Sequence, residues 1–232
     1  MEIKQDLIEQ IIREILAQGI DPIAGVGISS ADPQACGTAG LDPFQTTVGV
    51  SNRHVHLSRT DMDRLFGPGA VLHRMKAMKQ PGQFAAEETV ALRGPKGTLS
   101  KVRVLGPLRG ETQIEISVAD GYALGISPPL RMSGRLEGTP GVEIIGPQGS
   151  VRKERGVIVA RRHIHMLPET AALLGLSNGD TVDVEVPGER GGVMREVAVR
   201  VADAAAYEMH IDVEEANAFC LKNDDLVRIR KH

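Results

Sequence analysis

Two stretches of this chain align without a gap: VGVSNRHVHLSRTDMDRL from Val48 to Leu65, and VIVARRHIHMLPETAALL from Val157 to Leu174. Each reads as an apolar strand, an Arg-His-x-His-apolar core and a helix start, signalled by Ser58 with Asp61 in the first and by Pro168 in the second. A chain that repeats a supersecondary unit in this way is built from two similar halves, each within the usual size of a small domain. The halves are expected at residues 48–155 and 156–232, with strand exchange between them left open.

The intervening sequence selects the architecture. Short alternating or apolar runs at Lys101 to Leu105, Thr112 to Val118, Thr181 to Val186 and Glu196 to Val201 read as strands, punctuated by Gly94-Pro95, Gly106-Pro107, Gly146-Pro147 and Pro187-Gly188. Few segments reach helix length, so the expected class is mainly β: two small barrels related by duplication and capped by short helices. An apolar fraction of 41% can fill such cores, and with aromatics at 3% and no tryptophan the filling must be aliphatic. Ahead of the halves, Met1 to Ile20 places Ile3, Leu7, Ile11 and Ile15 four apart, an amphipathic helix, and Asp21 to Thr47 is Gly/Ala/Ser/Pro-rich and reads as a flexible linker.

Composition also limits the partners. A net charge of -3 supplies no basic field for phosphate backbones or anionic lipid, so neither nucleic acid nor membrane is expected. No apolar run approaches the roughly 20 residues of a membrane span, and no secretory signal opens the chain, so an intracellular location is expected. Cys36 and Cys220 have no CxxC partner, so any metal site must use histidine and carboxylate; Cys220 itself reads as buried filler in a helix.

Residues i and i+2 of a strand share a face, so His54 with His56, and His163 with His165, can each chelate one ion. Four of the seven histidines fall in the repeated motif, each pair preceded by an arginine, which favours metal binding over coincidence. Further ligands are sought at Glu115, on the polar face of Gln113-Ile114-Glu115-Ile116, and at His210, just ahead of a helix expected from Asp212 with Glu215 as its capping partner. Imidazole and carboxylate suit zinc, and also cobalt, nickel or iron. Arg109, in the tight loop Gly106-Pro107-Leu108-Arg109-Gly110, could present its planar fork to a phosphate or carboxylate. Walker, dinucleotide, HExxH and GxSxG motifs are absent from the sequence.

In the segments SNRHVHLS, GPLRGETQIEIS, RRHIHM and YEMHIDVEEAN, taken in that order, the chain resembles the PduL-type phosphotransacylases, or phosphate propanoyltransferases, of bacterial microcompartments, from about Val48 to Arg230. The resemblance implies two zinc ions, one on His54 and His56, the other on Glu115, His163, His165 and His210. It implies exchange of a short acyl group between coenzyme A and phosphate, with Arg109 near the phosphate. It implies coenzyme A contacts at Ser51, Lys76, Arg103, Leu105, His210 and Asn217. It further implies that the first strand, near Val48, joins the C-terminal half, that the enzyme is a homo-oligomer, and that the N-terminal helix addresses it to the shell or cargo of a microcompartment, such as one for propanediol degradation. Two other readings of the histidines stand beside this one: a metal-dependent hydrolase that activates water, and a metal-binding component without turnover.

Overall fold

The computed structural model describes residues 42–230. The amphipathic segment, Cys36 and the expected linker up to residue 41 lie outside them.

In chain order the elements are β1 (Gln45–Ser51), β2 (His54–His56), α1 (Arg59–Phe66), β3 (Arg74–Ala77), β4 (Phe84–Arg93), β5 (Thr98–Gly106), β6 (Gln113–Glu115), α2 (Val118–Leu124), β7 (Leu130–Arg131), β8 (Glu143–Ile145), β9 (Ser150–Arg152), β10 (Val157–Ala160), β11 (His163–Met166), α3 (Pro168–Leu174), β12 (Thr181–Val186), β13 (Gly192–Val201), β14 (Glu208–Asp212), α4 (Val213–Phe219) and β15 (Leu226–Arg230). The protein is mainly β. β12 keeps the expected bounds, with Val182, Val184 and Val186 inward and Glu185 outward, because a half-buried strand alternates.

Two strand boundaries need correction. Residues 45–47, read as linker, are already strand: Gln45, Thr46 and Thr47 pair antiparallel with Arg228, Val227 and Leu226. The run from Thr112 to Val118, read as one strand, forms strand only over Gln113–Glu115. Ser117 then caps α2, its hydroxyl accepting from the Asp120 amide while the Asp120 carboxylate accepts from the Ser117 amide. The same reciprocal cap, Asp212 with Glu215, starts α4 where the sequence placed it.

Six strands close into a barrel in the order β1-β14-β11-β13-β12-β15. The remaining nine form a second sheet, β7-β10-β6-β2-β5-β4-β8-β9 with β3 on β4. Each half lends its opening strand to the other. β1 runs parallel to β14 in the barrel, and its repeat equivalent β10 runs parallel to β6 in the second sheet. The pairings that follow match as well: β2 lies antiparallel to β6 and parallel to β5, as β11 does to β14 and β13.

Only the barrel closes, because the proline-rich stretch between α2 and β8 occupies the edge of β10. Val159 and Arg161 donate to the carbonyls of Pro129 and Arg131, and contact across to the β8 side is one backbone bond, Val157 to Pro140, at 3.0 Å. Pro140 has no N–H to extend that ladder.

Each sheet has its own aliphatic core. Val48, Ile164, Met166, Leu174, Val184 and Met209 are fully buried in the barrel; Val55, Leu57, Leu65, Leu92, Val104 and Ile114 are fully buried against the second sheet. Burying each such side chain stabilises the fold by roughly 1.5–3 kcal/mol, so these layers hold the histidine strands in place. Cys220 departs from its expected role: it is exposed and caps α4 with φ 54°.

Candidate active site

Strand register assembles two clusters of ligating side chains. On β2, His54 stands opposite Glu115 of β6, with His56 on the same face two residues on. On β11, His163 stands opposite His210 of β14, with His165 two residues on. Glu115 and His210 are therefore equivalent positions of the duplicated unit. Within each trio the ligating atoms lie within 4.8 Å of one another. Glu115, which the resemblance assigned with His163, His165 and His210, groups by distance with His54 and His56, because antiparallel pairing sets it directly across from His54.

Hydrogen bonds aim the rings. His54 Nδ1 donates to the Asn52 carbonyl at 2.8 Å, and His163 Nδ1 to the Arg161 carbonyl, also at 2.8 Å. That tautomer leaves both Nε2 lone pairs free. His54 Nε2 faces a Glu115 oxygen at 3.5 Å, and His163 Nε2 faces His165 Nε2 at 3.0 Å. His56 Nδ1 is buried without a hydrogen-bond partner. Lone pairs converging on one another and on a carboxylate are a donor set that fits a divalent transition cation.

Ionisation agrees with that fit. Burial pushes His56 down to about 3, with His54 adding to the effect. Burial likewise pushes His163 down to about 4, and burial together with His163 pushes His165 down to about 3. All three imidazoles are neutral near pH 7, as ligands must be. Burial also opposes the charge on Glu115, but His54 outweighs it and holds the carboxyl well below the usual carboxylate range. Burial lowers His54 too, and here Glu115 prevails and raises it.

The two clusters open on one cavity of about 630 Å³. Arg109 reaches it from the loop after β5, its guanidinium donating to Ser133 Oγ at 3.0 Å. Of the expected coenzyme A contacts, Ser51, Lys76, Leu105 and His210 line the cavity. Arg103 and Asn217 are not among its lining residues: the Arg103 guanidinium is held by the carbonyls of Ala86 and Glu87, and Asn217 is exposed on α4.

Among the lining residues that escaped sequence reading are Ser133, Glu208, Lys79 and Arg200. Glu208 accepts from His210 Nε2 at 2.8 Å, and Lys79 lies 3.2 Å from its other oxygen. Arg200 stands beside His165 in the pairing of β11 with β13. By strand register the equivalent of Glu208 in the other half is Gln113, which bonds Glu115 at 2.5 Å with the direction reversed, the Gln113 amide donating to the carboxylate. The arginine ahead of each pair, counted in favour of metal binding, has a structural role instead. Arg53 pairs with Asp120 at 3.0 Å and Arg162 with Glu215 at 2.7 Å, each binding the carboxylate of a helix-capping box.

A duplicated β-protein with this site finds its class in comparison with known proteins, which places it among acyltransferases. A family model described as phosphate propanoyltransferase matches residues 47–222. A phosphate propanoyltransferase of Rhodopseudomonas palustris (strain BisB18) is 71% identical over 231 residues, covering 100% of both chains. One from Rhodobacter capsulatus is 63% identical over 227 residues and 98% of each chain; one from Salmonella typhimurium is 54% identical over 172 residues, 74% of this chain and 81% of its own. The chain belongs to the phosphate propanoyltransferase family.

Proposed function

We propose that this protein moves a short acyl group, propanoyl or acetyl, between coenzyme A and inorganic phosphate, with metal ions in both clusters. The observation that carries the reading is the convergence of both trios and Arg109 on one cavity.

His54, His56 and Glu115 would hold one divalent ion, and His163, His165 and His210 the other, with zinc the first choice. Ions bound there would supply Lewis acidity toward the carbonyl and the departing sulfur. The chain does the rest. Arg109, fixed through Ser133, orients a phosphate oxygen on the thioester carbonyl carbon. As that C–O bond forms the C–S bond breaks, and sulfur leaves with the electron pair as the thiolate of coenzyme A. The Arg109 charge stabilises negative charge on the transferred phosphate as it approaches. Lys76 and Ser51 line the cavity and would contact the coenzyme. The reverse reaction uses the same contacts.

The cellular context belongs to the same proposal: a homo-oligomer in the lumen of a bacterial microcompartment, carried there by the segment Met1 to Ile20 and serving a pathway such as propanediol degradation.

Thiol release from propanoyl-CoA, with and without phosphate, tests the reaction, alongside metal analysis and a His163→Ala variant. Phosphate-dependent release, lost with the variant and its metal, is expected. Release without phosphate would indicate a hydrolase, and none under any condition a binding protein.

A further inference from the structure

The duplication allows the two halves to be compared position by position, and at the cavity wall they differ. The pairing of β2 with β5 sets His54 beside Arg103 and Val55 beside Val104, which brings Leu105 next to His56. The matching step in the other half sets Arg200 next to His165. Both residues line the cavity. One half thus offers it an apolar side chain, Leu105, only 8% exposed, and the other a guanidinium.

Arg200 is half-buried, and among the described residues no carboxylate or carbonyl holds it. Three other cations of the cavity lining are engaged, while Lys76 is exposed. Arg109 donates to Ser133, Arg161 to the Glu196 carbonyl, and Lys79 pairs with Glu208 and Asp224. Arg200 is close enough for its charge to act on His163, on His165 and on Arg109. Two guanidiniums directed at one cavity from different halves repel each other until an anion lies between them.

We propose that Arg200 is a second arginine of the phosphate subsite, so that the oxygens of inorganic phosphate, or of acyl phosphate in the reverse direction, are held between Arg109 and Arg200. The proposal rests on the acyl-transfer reading above. It gives the cavity a direction: the phosphoryl group lies toward the barrel wall at Arg200, and the apolar acyl end toward Leu105. The nucleotide phosphates of coenzyme A carry the same chemistry, so the test must separate the two sources.

Full-length, metal-loaded protein and its Arg200→Gln and Arg200→Lys variants would be assayed with phosphate varied at fixed propanoyl-CoA, then the reverse. A propanoyl thioester of pantetheine, which has no nucleotide phosphates, would serve as a second acyl donor. Arg200→Gln is expected to raise KM for phosphate about 10- to 100-fold, the effect of losing one charge-assisted bond, while KM for propanoyl-CoA stays within about 2-fold. The same defect should appear with the pantetheine thioester. Arg200→Lys should lie between, since an ammonium keeps the charge without the fork, and this variant carries the test if the glutamine variant does not fold. An unchanged KM for phosphate overturns the proposal, as does a raised KM for propanoyl-CoA that vanishes with the pantetheine thioester. If wild-type protein releases no thiol, the acyl-transfer reading fails separately, and the rise in melting temperature with added inorganic phosphate decides for Arg200. Its loss in Arg200→Gln supports the subsite; its persistence rules it out.

Discussion

At the residue scale, the site is set by atoms one step behind the clustered histidines and Glu115. The carbonyls of Asn52 and Arg161 choose the tautomers of His54 and His163, and Gln113 and Glu208 steady Glu115 and His210. Removing such partners typically weakens metal binding about 10- to 100-fold. Glu208→Gln is accordingly expected to lower metal affinity by that range in competition with a chromophoric chelator, and an unchanged affinity would mean that His210 needs no orientation. The four repeated histidines were legible because i, i+2 spacing is a local property. The grouping of Glu115, and the presence of Arg200, were not, because each depends on which residue a strand pairs with across the sheet.

Elements meet at their ends. The capping boxes of α2 and α4 each bind an arginine from the turn ahead of a histidine strand, tying helix start to histidine position. Glu214, in the first turn of α4, also accepts from the amides of Val118 and Ala119 at the start of α2, so the two helices abut at their N-termini. Arg53→Ala leaves Asp120, 7% exposed, without its cation and should cost about 1–2 kcal/mol, read as a lower denaturation midpoint with metal content unchanged. Loss of metal from a folded Arg53→Ala protein would return the arginine to a functional role. The Asp212–Glu215 cap was legible from spacing alone, whereas the Ser117–Asp120 cap was hidden by β-prone neighbours: Ile114, Ile116 and Val118 read as strand until a hydroxyl ends it.

For the whole molecule, the buried imidazoles set an acid limit on the metal-free protein. His56, His163 and His165, at about 3, 4 and 3, stay neutral when folded, while an unfolded chain protonates them near pH 6.5. Below that pH the unfolded state holds more protons, so stability falls as pH drops. His54 is raised and acts in the opposite sense: its contribution is complete below about pH 6.5 and is lost as pH rises through its folded value. Three outweigh one, and denaturant midpoints measured in chelator should decline from pH 7 to pH 5; a flat profile would contradict the burial. The duplication and the β class were legible at this scale, but the open second sheet was not, because it follows from the path of a proline-rich loop. The crossing of β1 and β10 between the sheets has a consequence for how the chain can be divided. A protease nick in the turn between Arg152 and Val157 would not release two independent products. The N-terminal fragment would carry off a stave of the barrel, and the C-terminal fragment a stave of the open sheet, so each piece could be complete only while it gripped the other.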